Sequence, residues 1–148
     1  MDKIRQDNER FFSAFKKLER AYTEHLLKKL KKFHLTPNEI EVISALTKTS
    51  SAREIALIAD VSTGLVSRSV KSLRAKGYIT TTLSDKDKRE QYLALTEEGE
   101  GILEMIECAR DEFFETAFQH IEKIEREVFD ALVNMMMQNL NIKTYIKE

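Results

Sequence analysis

A mainly α-helical chain carrying one small β-hairpin is what this sequence predicts, and three observations predict it. Apolar residues recur at three- and four-residue steps near both ends, from Phe11 to Leu30 and from Ile102 to Leu140, which is the period of amphipathic helices. The middle is cut into shorter pieces by Ser/Thr-x-x-Glu capping boxes. One run rich in β-branched residues, Tyr78–Leu83, is followed after a charged stretch by Tyr92–Leu95, which reads as two strands and a turn.

The elements follow in order. Phe11, Phe15, Leu18, Tyr22, Leu26 and Leu30 form one continuous stripe on a long first helix. Thr36-Pro37-Asn38-Glu39 combines a capping box with Pro at the first helical position, so a helix starts there with Ile40, Val42, Ile43 and Leu46 on its apolar face. Ser51-Ala52-Arg53-Glu54 is a second box, opening a helix that buries Ile55, Ala56 and either Ile58 or Ala59. Asp60-Val61 is the turn. Ser62 caps a third helix, running through Ser67, Lys71 and Arg74 until Gly77 ends it. The strand pair follows, and Thr96-Glu97-Glu98-Gly99 launches a long acidic helix striped with Ile102, Met105, Ile106, Ala109, Phe113 and Ala117. The pattern breaks near His120 and resumes with Ile124, Val128, Leu132, Val133, Met136 and Leu140. All eight Phe lie at or before Phe33 or at or after Phe113. Aromatic-striped terminal helices need cover, which they find on each other and on a second copy of the chain.

The 148 residues fit one domain. No apolar run approaches the roughly 20 residues that cross a bilayer, and the opening MDKIRQDNER lacks an apolar signal segment, which predicts a cytoplasmic protein with no membrane partner. A single cysteine, Cys108, rules out an internal disulfide. Net charge is only −1, but it is unevenly placed. Ten Lys/Arg face five Asp/Glu up to His34 (+5); two face four over Leu35–Val61 (−2); seven face three over Ser62–Thr96 (+4); five face thirteen from Glu97 onward (−8). A basic middle in a near-neutral chain is positive charge put somewhere for a reason.

Two short helices joined by a tight turn and followed by a β-hairpin describe a winged helix-turn-helix. Val66, Val70 and Leu73 of its second helix share a face that packs inward, while Thr63, Ser67, Lys71 and Arg74 share the opposite face, with Arg68 alongside. Short polar groups near the N-terminus and cations farther along suit a helix that enters the major groove. Gly64 costs about 1 kcal/mol of helix propensity; close approach to a DNA backbone explains it, and a loose first turn explains it equally well. The hairpin tip carries Lys86, Lys88 and Arg89, placed to reach an adjacent minor groove. Asp87, two residues before Arg89, falls on the same side of an extended strand and is read as the group that holds its guanidinium.

Here the sequence resembles the MarR-type bacterial transcriptional regulators. The residues that carry the resemblance are SAREIALIADVSTGLVSRSVKSLRAKGYI, then DKR at Asp87–Arg89, then Leu95-Thr96 with Gly99. With the long flanking helices, it covers essentially the whole chain: a winged module over residues 35–96 (helix-turn-helix 51–76, wing 78–96) between dimerisation helices at 1–34 and 97–148. The resemblance implies a homodimer, a repressor, gripping double-stranded DNA at a pseudo-palindromic operator. By motif position it places the wing arginine on Arg89, its partner on Asp87, and the recognition contacts on Thr63, Gly64, Ser67, Arg68 and Lys71. It also implies release by a small aromatic or amphipathic effector bound between the dimer region and the winged module. One departure stands out: where many members have a hydrophobic pair and soon an arginine, this chain has Thr80, Thr81 and Thr82, so a wing-bracing or phosphate contact is expected to be missing.

Other chemistry is weighed and set aside. His25, His34 and His120 lack ligand spacing and read as structural or surface residues, so no metal or cofactor is expected. Cys108 reads as a buried, inert thiol, and Met135, Met136 and Met137 read as core. No nucleophile–base pair, phosphate-cradling loop or carboxylate dyad suggests an enzyme. The alternative function is a dimeric winged-helix module that binds another protein and no operator.

Overall fold

Helical periodicity and local caps account for most of the element boundaries. The computed structural model describes residues 1–86 and 90–143. Helix α1 spans Asp2–Lys29 and runs into a single 3₁₀ turn at Lys31–Phe33; α2 is Pro37–Ala45, α3 Ala52–Ile58 and α4 Thr63–Ala75. Strands β1 (Ile79–Leu83) and β2 (Gln91–Leu95) form an antiparallel hairpin, with Ile79 opposite Leu95 and Leu83 opposite Gln91. Helices α5 (Glu97–Ala117) and α6 (Lys123–Asn139) complete the order. The predicted break near His120 is real: His120 adopts φ 62° between them. Tyr78, predicted as strand, belongs to the turn instead, because Gly77 at φ 81° reverses the chain and the Tyr78 amide donates back to the Leu73 carbonyl.

The caps are oxygen acceptors at each helix start. Thr36 accepts from the Glu39 amide, Ser51 from Glu54, Ser62 from Leu65 and Thr96 from Gly99, each satisfying an amide that the first turn leaves without a partner. At α2 only half of the predicted box forms, because the Glu39 carboxylate turns away from its own helix and into the core.

That core gathers Leu26 and Leu30 at the end of α1, Ile40, Val42 and Ile43 of α2, Ile55 of α3, and Val66, Val70 and Leu73 of α4. Ile79, Leu93, Ile102 and Ile106 close it from the hairpin and α5. The inner half of α1 is tied along α5: His25 Nε2 donates to the Ala109 carbonyl at 2.9 Å, and Lys29 Nζ meets Glu112 at 2.9 Å. That Lys29–Glu112 hydrogen bond holds the Lys29 pKa above its ordinary value and the Glu112 pKa below its own. Arg110 reaches both Tyr22 and Glu41, joining α5 to α1 and α2.

Two expectations are corrected. Cys108 is exposed, because the buried stripe of α5 runs through Ile102, Ile106 and Ala109 and leaves it off that face. The methionine run is not core within this chain: α6 has no buried residue, Met135 is 58% exposed and Met136 and Met137 are half-buried. Ile124, Val128 and Leu132 of α6 and Ile4, Phe11 and Phe12 of α1 are exposed as well. The two ends meet where the Phe15 and Phe129 rings stack at 6.3 Å. Between α1 and the α5–α6 corner lies an open apolar groove of about 680 Å³, lined by Tyr22, Phe113, Phe114, Phe118 and Phe129 among others. Among the described residues no helix is long and apolar enough to cross a membrane, and no group of three or more His, Cys, Asp or Glu is placed to hold a metal ion.

Candidate nucleic-acid interface

Helix α4 is amphipathic in the sense the sequence requires. Val66, Val70 and Leu73 are buried against α2 and α3, which fixes the helix in rotation. Thr63, Gly64, Ser67, Arg68 and Lys71 all lie on its exposed side. No carboxylate occurs anywhere in α4, and Arg68, Lys71 and Arg74 follow each other at three-residue steps, so the cations line one strip of the helix surface. A Cβ at Gly64 would meet only the Ser62 hydroxyl, at 4.0 Å. No neighbour within the chain requires a glycine there.

The hairpin stands beside this helix on two supports that sequence reasoning missed. Arg74 Nη1 donates to Thr81 Oγ1 at 3.2 Å, so the threonine run that departs from the family pattern supplies its own brace, with the arginine coming from the helix. Arg74, read from sequence as a phosphate contact, is spent in part on this bond. On the other side, the Leu93 amide donates to the Ser50 carbonyl at 2.7 Å and Ser51 bridges Tyr92, which adds a one-residue third strand ahead of α3. Such a fragment is too short to leave a periodic signal. Outward from this base, the Ser84 amide donates to the Glu90 carbonyl and extends the ladder toward the tip, where Lys86 is exposed. Asp87, Lys88 and Arg89, and with them the pairing of Asp87 with Arg89, lie outside the described residues.

A third missed feature sits at the far end of α4. Glu39 is 4% exposed, and its carboxylate accepts from Ser72 Oγ at 2.9 Å and Lys76 Nζ at 2.7 Å. A buried carboxylate needs such partners to remain charged. The available signal was the i, i+4 placement of Ser72 and Lys76 beside the buried Leu73.

Helix, turn, exposed basic helix and hairpin together define a winged helix-turn-helix protein. Residues 33–90 match the model of the MarR family, and through that segment the chain belongs to the MarR family. Solved structures match over most of the chain. A MarR protein from Peptoclostridium difficile is 19% identical, with a TM-score of 0.80 over 88% of this chain and 86% of that one. A MarR transcriptional regulator from Methanosarcina mazei is 20% identical, with a TM-score of 0.77 over 91% and 99%. MepR of S. aureus, solved as a complex with DNA, is 20% identical, with a TM-score of 0.79 over 87% and 97%. At these identities the likeness establishes the fold. No curated protein sequence matches the chain.

Proposed function

We propose that the protein is a DNA-binding transcriptional regulator, a repressor acting as a homodimer on a pseudo-palindromic operator and released by a small-molecule effector. Thr63, Gly64, Ser67, Arg68 and Lys71 meet the major groove; Lys86, Lys88 and Arg89 reach the neighbouring minor groove, with Asp87 supporting Arg89. The observation that carries this reading is the exposed face of α4, free of carboxylates, with short polar groups at its N-terminal end and cations beyond them. Phosphate contacts position such a helix, and base-edge contacts specify its site.

Two substitutions separate these roles. Lys71→Ala is expected to weaken binding to every duplex alike, lowering the slope of log affinity against log salt by about 1. Ser67→Ala is expected to cost about 1 kcal/mol on the preferred site and little on others. Fluorescence anisotropy across a salt series measures both. Absence of duplex binding by the native chain at low salt would transfer the fold to the alternative role, a module that binds protein.

Support for the dimer comes from the uncovered apolar faces of α1 and α6 and the groove between α1 and α5–α6. The opposite charges of the two ends, +5 up to His34 and −8 from Glu97, favour pairing as well. Covering these faces is expected to bury well over the roughly 1,600 Å² of a standard interface. Sedimentation at micromolar concentration should therefore give a dimer, and a folded monomer would count against the architecture. Two recognition helices on one face of DNA set half-sites about 10 bp apart or a multiple of it. The effector reading rests on the family, and a thermal-shift screen of small carboxylates and phenols tests it.

A further inference from the structure

We infer that Lys76 is a positioning residue: it sets the angle at which the recognition helix leaves the terminal helices, and with it the half-site spacing that the dimer accepts. The inference rests on the operator-binding dimer proposed above. Lys76 ends α4, and its ammonium spans two elements, donating to Glu39 Oε2 at 2.7 Å and to the His34 carbonyl at 2.9 Å. His34 closes the 3₁₀ turn that continues α1, in a left-handed conformation at φ 53°. The next two residues are held from the opposite side. Thr96, the cap of α5, donates through Oγ1 to the Gly77 carbonyl at 2.7 Å and through its amide to the Tyr78 carbonyl at 3.0 Å. The inner ends of α1 and α5 thus converge on Lys76, Gly77 and Tyr78.

Leverage makes this joint matter. The N-terminal end of α4 lies about 18 Å from Lys76 along the helix. A tilt of about 10° at the joint moves that end by about 3 Å, close to the 3.4 Å step between base pairs. Buried ion pairs contribute more to a fixed geometry than to stability in some systems, and the Glu39–Lys76 pair joins α2 to this end of α4.

The test is selection of binding sites from a random duplex pool, followed by insertion or deletion of one base pair between the half-sites. The native chain is expected to prefer its selected spacing at least tenfold. Lys76→Met, assayed where circular dichroism reports it folded, should keep the half-site sequence but lose spacing preference to about twofold. Lys76→Arg, which retains both donors, should restore it. Glu39→Gln, close in volume, serves where Lys76→Met fails to fold, with the same loss expected. A second readout needs no DNA: spin labels at Ser67→Cys and Glu104→Cys in a Cys108→Ser background, diluted with unlabelled chain. Their distance distribution should be narrow when Lys76 is present and broad in the Lys76→Met variant. Unchanged spacing preference together with an unchanged distribution overturns the role of Lys76. A native chain that selects no duplex overturns the operator reading, and the label distances then decide the joint by themselves.

Discussion

Gly99→Ala is expected to lower stability by about 3 kcal/mol, at the upper end for overpacking, and to reduce Tm by roughly 10 °C. Gly99 lies in the first turn of α5, buried against the link between α4 and the hairpin. A Cβ there would sit 2.0 Å from the Tyr78 carbonyl oxygen and 3.2 Å from Leu95 Cδ2. The backbone oxygen cannot step aside easily, because it accepts from the Thr96 amide. Thr96 in turn caps the helix at Gly99 and donates to Gly77. The glycine is needed for space and not for a special φ. Gly101, two residues on, supplies the control: a Cβ there meets nothing within 4 Å. Gly101→Ala is therefore expected to gain up to about 1 kcal/mol of helix propensity. Thermal unfolding of the two variants should move in opposite directions. Equal melting of Gly99→Ala and the native chain would mean that α5 does not start against the hairpin base.

Legibility followed the range of the interaction. Caps at Thr36, Ser51, Ser62 and Thr96 act over three residues, and each was readable from spacing alone. The two faces of α4 were readable because one face is buried and helical period places the other. Contacts across the fold left weaker traces. The Arg74–Thr81 brace requires knowing that the hairpin folds back beside the helix, and Glu39 meets Ser72 and Lys76 across more than thirty residues. The two misplaced features have separate causes. Cys108 was assigned to the interior by residue type, although the stripe through Ile106 and Ala109 excludes it. The first and third of three consecutive methionines lie about 200° apart around a helix, so the run cannot share one face. The apolar side of α6, moreover, has no cover within a single chain.

Arg89→Ala carries the largest effect expected on DNA binding. Each wing is expected to lose about 1–3 kcal/mol, and the dimer has two wings. The magnitude of the salt slope should fall by about 0.9 for each phosphate interaction lost. Lys86→Ala, at an exposed position nearer the strand, should produce a smaller and sequence-independent loss. The base of the hairpin, with Ile79 and Leu93 buried, keeps thermal stability near native in both variants, so the affinity change is read without a folding term. Asp87→Ala is the sharper measurement, since two physical effects predict opposite signs. Removing a carboxylate beside DNA should strengthen binding by simple charge. Strand alternation puts residues two apart on one side, so a carboxylate at Asp87 is placed to orient the Arg89 guanidinium, and its removal should then weaken binding. Weaker binding by Asp87→Ala, with no further loss when Arg89→Ala is added, identifies the pair as one unit. Tighter binding by Asp87→Ala with Arg89→Ala neutral makes the tip ordinary solvated surface and leaves recognition to α4.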